Sequence, residues 1–263
     1  MIMQVYYRKR RHILFSITVF CLSLVSFAAP AETITGLTCE YLVNPIGIDA
    51  PNPRFTWQLV SEKQGISQAA YRLLVGTDSA GVASGKSVYW QSGKINNGTH
   101  LVTYGGKPLA PFTKYYWRVE AWDGSNVTLG TSSVASFEMG LMKASNWQGA
   151  WISDQHSRNR KEAPYFRKTF NASNEIRSAR AYIAAAGLYE LYINGSKIGN
   201  HRLDPVYTRF DRRNLYITYD VTQQVKKGSN AIGVLLGNGW YNHQSTADWN
   251  FHKGPWRERP AFC

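Results

Sequence analysis

The run Gly237-Asn238-Gly239-Trp240-Tyr241, followed by Trp249 and Trp256, delivers large aromatic rings directly after a tight turn. Glycine tolerates positive φ, and asparagine enters the left-handed region more readily than most residues, so Gly-Asn-Gly reads as a forced backbone reversal. A strand-like apolar run, Ala231 to Leu236, leads into it. A flat ring held on a loop at the end of a rigid sheet can pack against the apolar face of a sugar. The same rings can instead close the rim of a β-sandwich core, since aromatics carry much of any core's buried area. The turn alone leaves both roles open.

A hydroxyl-rich ligand also needs planar donors and acceptors beside the ring. Asp204, Tyr207 and Arg209 occupy one long connection, and Asn238, Trp240, Tyr241, His243, Asp248 and Trp249 form or follow the Gly-Asn-Gly turn. From these, Asp204, Arg209, Asn238, Trp240, Tyr241 and Trp249 make up a candidate carbohydrate-binding set on loops at one end of a sandwich. Two have local alternatives: Asp204 precedes Pro205 and can start a turn, and Arg209 can pair with Asp211. Glu190 and Asp204 are the one imaginable carboxylate pair, and nothing in the sequence sets their separation. His201, His243 and His252 make no metal triad by spacing, and no Cys-x-x-Cys, His-Glu-x-x-His or EF-hand loop occurs. No catalytic, cofactor or metal residue is therefore assigned.

The elements that must position these residues read as all-β. Over 34–140, Phe55, Trp57 and Leu59 alternate with polar neighbours, which turns one face into a core. Further strands are expected at Ala70–Gly76 and Val88–Ser92. In Leu109-Ala110-Pro111-Phe112-Thr113-Lys114-Tyr115 the spacing is that of a tyrosine corner, and the length suits a fibronectin type III-like sandwich. Trp90 and Trp122 there are read as sheet-face packing rather than sugar platforms. Such a module is structural by default.

Gly140 to Asn146 reads as a short linker, and a jelly-roll-type sandwich is expected over 146–263. Its strands are placed at 165–170, 179–185, 188–193, 214–221 and 230–236, with a helical turn near Val221 to Lys226. Asn194-Gly195 between Tyr192-Ile193 and Lys197-Ile198 is a strong hairpin signal. Gly228-Ser229-Asn230 marks another turn.

Residues 1–31 have the layout of a secretory signal: basic Arg8 to Arg11, an apolar run Ile13 to Phe27, and small residues at Ala28-Ala29-Pro30-Ala31. The apolar run is short for a membrane span, and Cys21 lacks the small-residue setting of lipidation. The expected location is secreted or periplasmic, with no membrane contact after cleavage. Removing the leader lowers the formal charge from +13 to +9. The remaining cations are scattered, which argues against a nucleic-acid partner. Maturation leaves Cys39 and Cys263, one in each module, which is no disulfide framework.

Several segments recur in a known order: Tyr182 to Gly199, Asp204-Pro205-Val206-Tyr207-Thr208-Arg209-Phe210-Asp211, Tyr216 to Thr222, Leu235 to Tyr241 and Gly254-Pro255-Trp256. Together with Ala163 to Phe170 they resemble the amino-terminal region of bacterial α-L-rhamnosidases of glycoside hydrolase family 78. The resemblance covers roughly 35 to 263. It implies a parent enzyme that removes terminal α-L-rhamnosyl residues with inversion, through an acid and a base about 6.5–9.5 Å apart. It also implies that the catalytic residues lie on an (α/α)6 barrel, with a motif of the form Asp-x-x-x-x-Asp-Glu-Arg-x-Gly-Trp. No segment matches that motif, and Cys263 comes where a further strand is expected. The chain is thus expected to be inactive alone, to partner its own catalytic domain, and to bind a rhamnose-containing poly- or oligosaccharide. Some related β-modules hold rhamnose through calcium; that cofactor is compatible with the Asp and Asn residues but not demanded by their spacing. A free-standing carbohydrate-binding protein and a surface scaffold or adhesion module are the alternative readings.

Overall fold

The computed structural model describes residues 33–86, 88–246 and 249–263. The expected signal segment and the candidate Asp248 lie outside the described residues. No helix among the described residues is long and apolar enough to cross a membrane.

The first module runs β1 (Thr33–Cys39), β2 (Arg54–Val60), β3 (Ala70–Gly76), a short helix α1 (Ser79–Ser84), β4 (Trp90–Gln91), β5 (Leu101–Thr103), β6 (Lys114–Trp122), β7 (Thr128–Thr131) and β8 (Ala135–Glu138). One sheet has the order β1-β2-β5; the other runs β4-β3-β6-β7, with β8 also on β6. Period-two alternation buries Phe55 and Trp57 on β2, Leu73 and Val75 on β3, and Tyr115, Trp117 and Val119 on β6. Phe55 packs on Trp117 at 4.7 Å between ring centroids, and Tyr115 stacks on Phe137 at 5.3 Å. Trp57 Nε1 finds a buried acceptor in Gln68 Oε1 at 2.8 Å. The tyrosine corner is present: Ala110 N–H donates to Tyr115 Oη at 3.0 Å. Trp90 packs edge-on against Tyr104, and Trp122 lies on the sheet face beneath Lys94.

The second module contains β9 (Tyr165–Ala172), β10 (Arg180–Ala186), β11 (Leu188–Ile193), β12 (Ser196–Lys197), β13 (Tyr216–Asp220), β14 (Gly228–Gly237) and β15 (Ala261–Phe262). The antiparallel sheets β12-β11-β14-β9 and β13-β10-β15 enclose Ile183, Ala185, Leu191, Ile193, Val221, Val234 and Leu236. Asn194 and Gly195 both take positive φ (+51° and +84°) and close the β11–β12 hairpin, the geometry that a two-residue primed turn requires. Gly228-Ser229-Asn230 differs from the expected turn, because these residues already pair with β9. The turn lies just before them and is closed from inside the strand: buried Asn230 accepts from Lys226 N–H at 2.9 Å and donates to Lys226 O at 2.7 Å.

The predicted linker is part of a packed junction. Gly140 and Leu141 are buried. Tyr216 Oη accepts from Leu141 N–H at 3.0 Å and donates to Asp49 Oδ1 at 2.7 Å, and Met142 N–H reaches the same oxygen at 2.7 Å. A side chain on Gly140 would run into the Tyr216 hydroxyl. Arg180 of the second module grips Glu138 of the first through Nε–Oε1 at 2.9 Å and Nη2–Oε2 at 2.8 Å. Cys39 is buried and Cys263 half-buried, both as free thiols.

Candidate functional site: an aromatic cleft on the second module

At one end of the second sandwich a cleft of about 530 Å³ opens between the connection after β12 and the turn after β14. Its walls include Leu203, Val206, Tyr207, Phe210, Trp240 and His243. Two tight turns meet at its floor. Gly239 takes φ +50°, and a Cβ on Gly187 would come within 2.5 Å of the Gly237 carbonyl oxygen. Only glycine permits that approach, so the turn that delivers Trp240 is fixed by the backbone of β10–β11.

The rings form a connected cluster. Phe251 lies 5.6 Å from Tyr207, 5.2 Å from Trp240, 5.8 Å from Trp249 and 6.4 Å from Trp256. Phe210 contacts Tyr207, Tyr241 and Trp256 at the back. His243 stacks on Trp240 at 5.3 Å and 27°. Trp240 keeps 44% of its surface exposed and Trp249 77%. Tyr241 is more enclosed, and burial raises its hydroxyl pKa.

The polar members of the predicted set occupy other places. Asp204 has its backbone oxygen on Tyr189 N–H (3.0 Å), and its Oδ2 faces the Tyr219 hydroxyl (3.3 Å) and His201 Nδ1 (3.2 Å). Tyr219 in turn meets the Tyr189 hydroxyl at 2.9 Å, and burial pushes the Tyr189 hydroxyl far above its ordinary pKa. Arg209 pairs with Asp211 at 2.9 Å, which holds the Asp211 carboxyl below its usual range. Asn238 donates to Lys161 O at 2.9 Å and accepts from Asn242 at 3.1 Å. Fully buried Asn242 also donates to Arg158 O at 2.9 Å and accepts from Arg257 Nε at 3.1 Å. Buried Arg259 completes the strap, gripping Asp154 at 2.6 and 2.8 Å and donating to Arg160 O and Glu162 O. These contacts hold the 154–162 segment against the aromatic turn.

The structure thus brings Trp240, Tyr241 and Trp249 into one cluster, and engages Asp204, Arg209 and Asn238 in hydrogen bonds around it. Sequence reasoning missed the hub Phe251, the backing Phe210 and the exposed apolar wall of Leu203 and Val206. The last two carried a readable signal, being bare aliphatics in an otherwise polar loop. Glu190 does not face Asp204; it binds Lys197, Tyr192 and Arg202, and the lysine foremost holds its carboxyl low. No group of three His, Cys, Asp or Glu among the described residues could hold a metal ion. Chemically the cleft offers stacking surface and shape, and among the described residues no carboxylate lines it.

An all-β protein with two sandwiches and a loop-borne aromatic cleft is the class these observations define. Residues 34–143 match the family model of the Rha78A-like N-terminal immunoglobulin domain, and 174–263 match that of the α-L-rhamnosidase N-terminal domain. An α-L-rhamnosidase of Formosa agariphila is 33% identical over 261 residues, covering 89% of this chain and 27% of the relative. The structure of the Dictyoglumus thermophilum α-L-rhamnosidase superposes with a TM-score of 0.76 and 37% identity, covering 81% of this chain and 26% of that one. The Aspergillus terreus enzyme gives 0.74 and 28%, covering 88% and 26%. The chain matches the amino-terminal modules of the α-L-rhamnosidases over most of its length. It spans about a quarter of the length of these relatives.

Proposed function

We propose that this chain supplies the amino-terminal β-modules of a secreted α-L-rhamnosidase, an inverting hydrolase of terminal α-L-rhamnosyl residues. Within it, the second module binds carbohydrate through its aromatic cleft. The observation that carries the binding role is the exposed ring cluster around Trp240, on a turn fixed by glycine contacts and strapped from behind. Exposed tryptophan faces backed by a rigid scaffold suit a sugar's apolar face, and flanking donors such as His243 can meet its hydroxyls. The first module acts as the rigid support, with 34–140 and 146–263 as the two structural units. The basic and apolar runs within residues 1–31 support export and cleavage. Hydrolysis is placed outside these modules, since among the described residues no carboxylate lines the aromatic cleft.

Calorimetric titration of the mature chain with L-rhamnose, with and without calcium, tests this reading. Heat that disappears in Trp240→Ala supports it; no heat from a folded sample refutes the sugar-binding role. Turnover of an aryl rhamnoside by the chain alone would overturn the assignment of catalysis elsewhere.

A further inference from the structure

A second cleft, of about 570 Å³, lies where the modules meet, remote in sequence from the aromatic turn. That volume is within the roughly 300–1,000 Å³ of small-molecule sites, which favour domain boundaries. Both modules and the segment between them contribute: Asp49 from the first, Lys143 from the connection, Trp147, Trp151, Arg213 and Tyr216 from the second. Its frame is held firmly. Tyr216 bridges Asp49 and the Leu141 amide, and Trp147 packs on Tyr216 at 5.9 Å and 60°. Burial raises the pKa of Tyr216, so its hydroxyl stays a neutral hydrogen-bonding group at the junction.

Two features of this cleft point to its occupant. Trp151 is half-exposed, with 50% of its surface open, and no other ring packs on it among the described residues. The cations Lys143 and Arg213 both line the cleft, yet no carboxylate among the described residues pairs with either. Asp49, the one acidic group on the wall among the described residues, accepts from Met142 N–H and the Tyr216 hydroxyl at one oxygen.

We propose that the junction cleft binds a saccharide residue carrying an anionic group. The ring stacks on Trp151, the anion sits between Lys143 and Arg213, and a ring hydroxyl donates to the remaining oxygen of Asp49. A guanidinium pairs with carboxylate or sulfate through charge-assisted hydrogen bonds, and a nearby ammonium adds a point charge. The site shares no lining residue with the Trp240 cleft and extends the proposed sugar contact to a second, acidic unit.

Isothermal titration of the full chain with D-glucuronate, D-glucose 6-sulfate and D-glucose tests this, because the three differ only in the anion. At least one anionic sugar is expected to bind about tenfold tighter than D-glucose, the gain of a charged hydrogen bond. Whichever binds tighter identifies carboxylate or sulfate as the natural group. Lys143→Ala with Arg213→Ala should reduce anionic binding to the D-glucose level, and Trp151→Ala should abolish it. Trp240→Ala should leave it unchanged. Equal affinity for all three sugars, binding to none, equal affinity for acetate alone, or loss in Trp240→Ala would overturn the proposal. The wild-type comparison needs no substitution, so a variant that misfolds cannot obscure the outcome.

Discussion

In the first module Trp117, Phe55, Phe137 and Tyr115 are sealed inside the sandwich, packed ring on ring. In the second module the buried interior is mainly aliphatic, with Ala185, Ile183, Leu191 and Val234 around Tyr189, and Trp240, Trp249 and Trp256 sit outside it on the segment after β14. The strands of one carry aromatics at inward-facing positions, so burial of their area stabilises the fold. The strands of the other carry mainly aliphatics inward, Tyr189 excepted, and leave tryptophans to a loop, where the faces of Trp240 and Trp249 stay available. Ring content alone therefore says nothing about binding; the element that holds the ring decides.

That contrast can be broken at its strongest point first. Trp117→Ala removes a fully buried ring and should destabilise the chain by about 3–5 kcal/mol in denaturant unfolding. If the loss were under about 1 kcal/mol, the first module's aromatics would not be its core. Next comes the contact that joins the two regions. Arg180→Met leaves Glu138 buried without its partner, with an expected cost of roughly 3 kcal/mol. The modules should then melt in two separated calorimetric transitions, and adding Glu138→Gln should recover part of the loss.

A pH titration sharpens the comparison on the strap behind the cleft. The Arg259 hydrogen bonds foremost depress the Asp154 carboxyl below its ordinary value of 3.8. A depressed folded-state pKa means the contribution is complete above pH 3.8 and is lost as pH falls through the lower folded-state value. Wild type should thus lose stability relative to Asp154→Asn on acidification below about pH 4, with the loss in the second module. Tyr115→Phe deletes the corner hydrogen bond and should cost about 1 kcal/mol. The smallest change in stability belongs to Trp240→Ala, about 1 kcal/mol or less for a ring so exposed, yet this variant should lose the L-rhamnose heat. A large destabilisation by Trp240→Ala would move that ring from the binding surface to the core.

The parts of this architecture legible in the sequence are those set by near neighbours. The alternation around Trp57, the Leu109-to-Tyr115 corner and the Asn194-Gly195 hairpin depend on spacings of two to six residues, and each appears where expected. The polar side of the site was not legible in the same way. Asn238 and Asn242 bond to carbonyls some eighty residues earlier, and Arg259 closes on Asp154 across 105 residues. Those pairings exist only after the sandwich forms, so local pattern offers them as free ligand donors. The start of the linker misleads for the same reason: Gly140 and Leu141 look like a spacer until Tyr216, from a strand 75 residues on, covers them.

That covered joint has an evolutionary and practical consequence. A junction with an exposed tether can be cut, lengthened or reshuffled without loss, but here the crossing between sandwiches starts on two buried residues, Gly140 and Leu141. An insertion at Gly140 would wedge the Tyr216 hydroxyl away from Asp49 and Leu141 together. The two sandwiches should therefore travel through recombination as one cassette, and an engineer transplanting the aromatic cleft must carry the neighbouring sandwich with it.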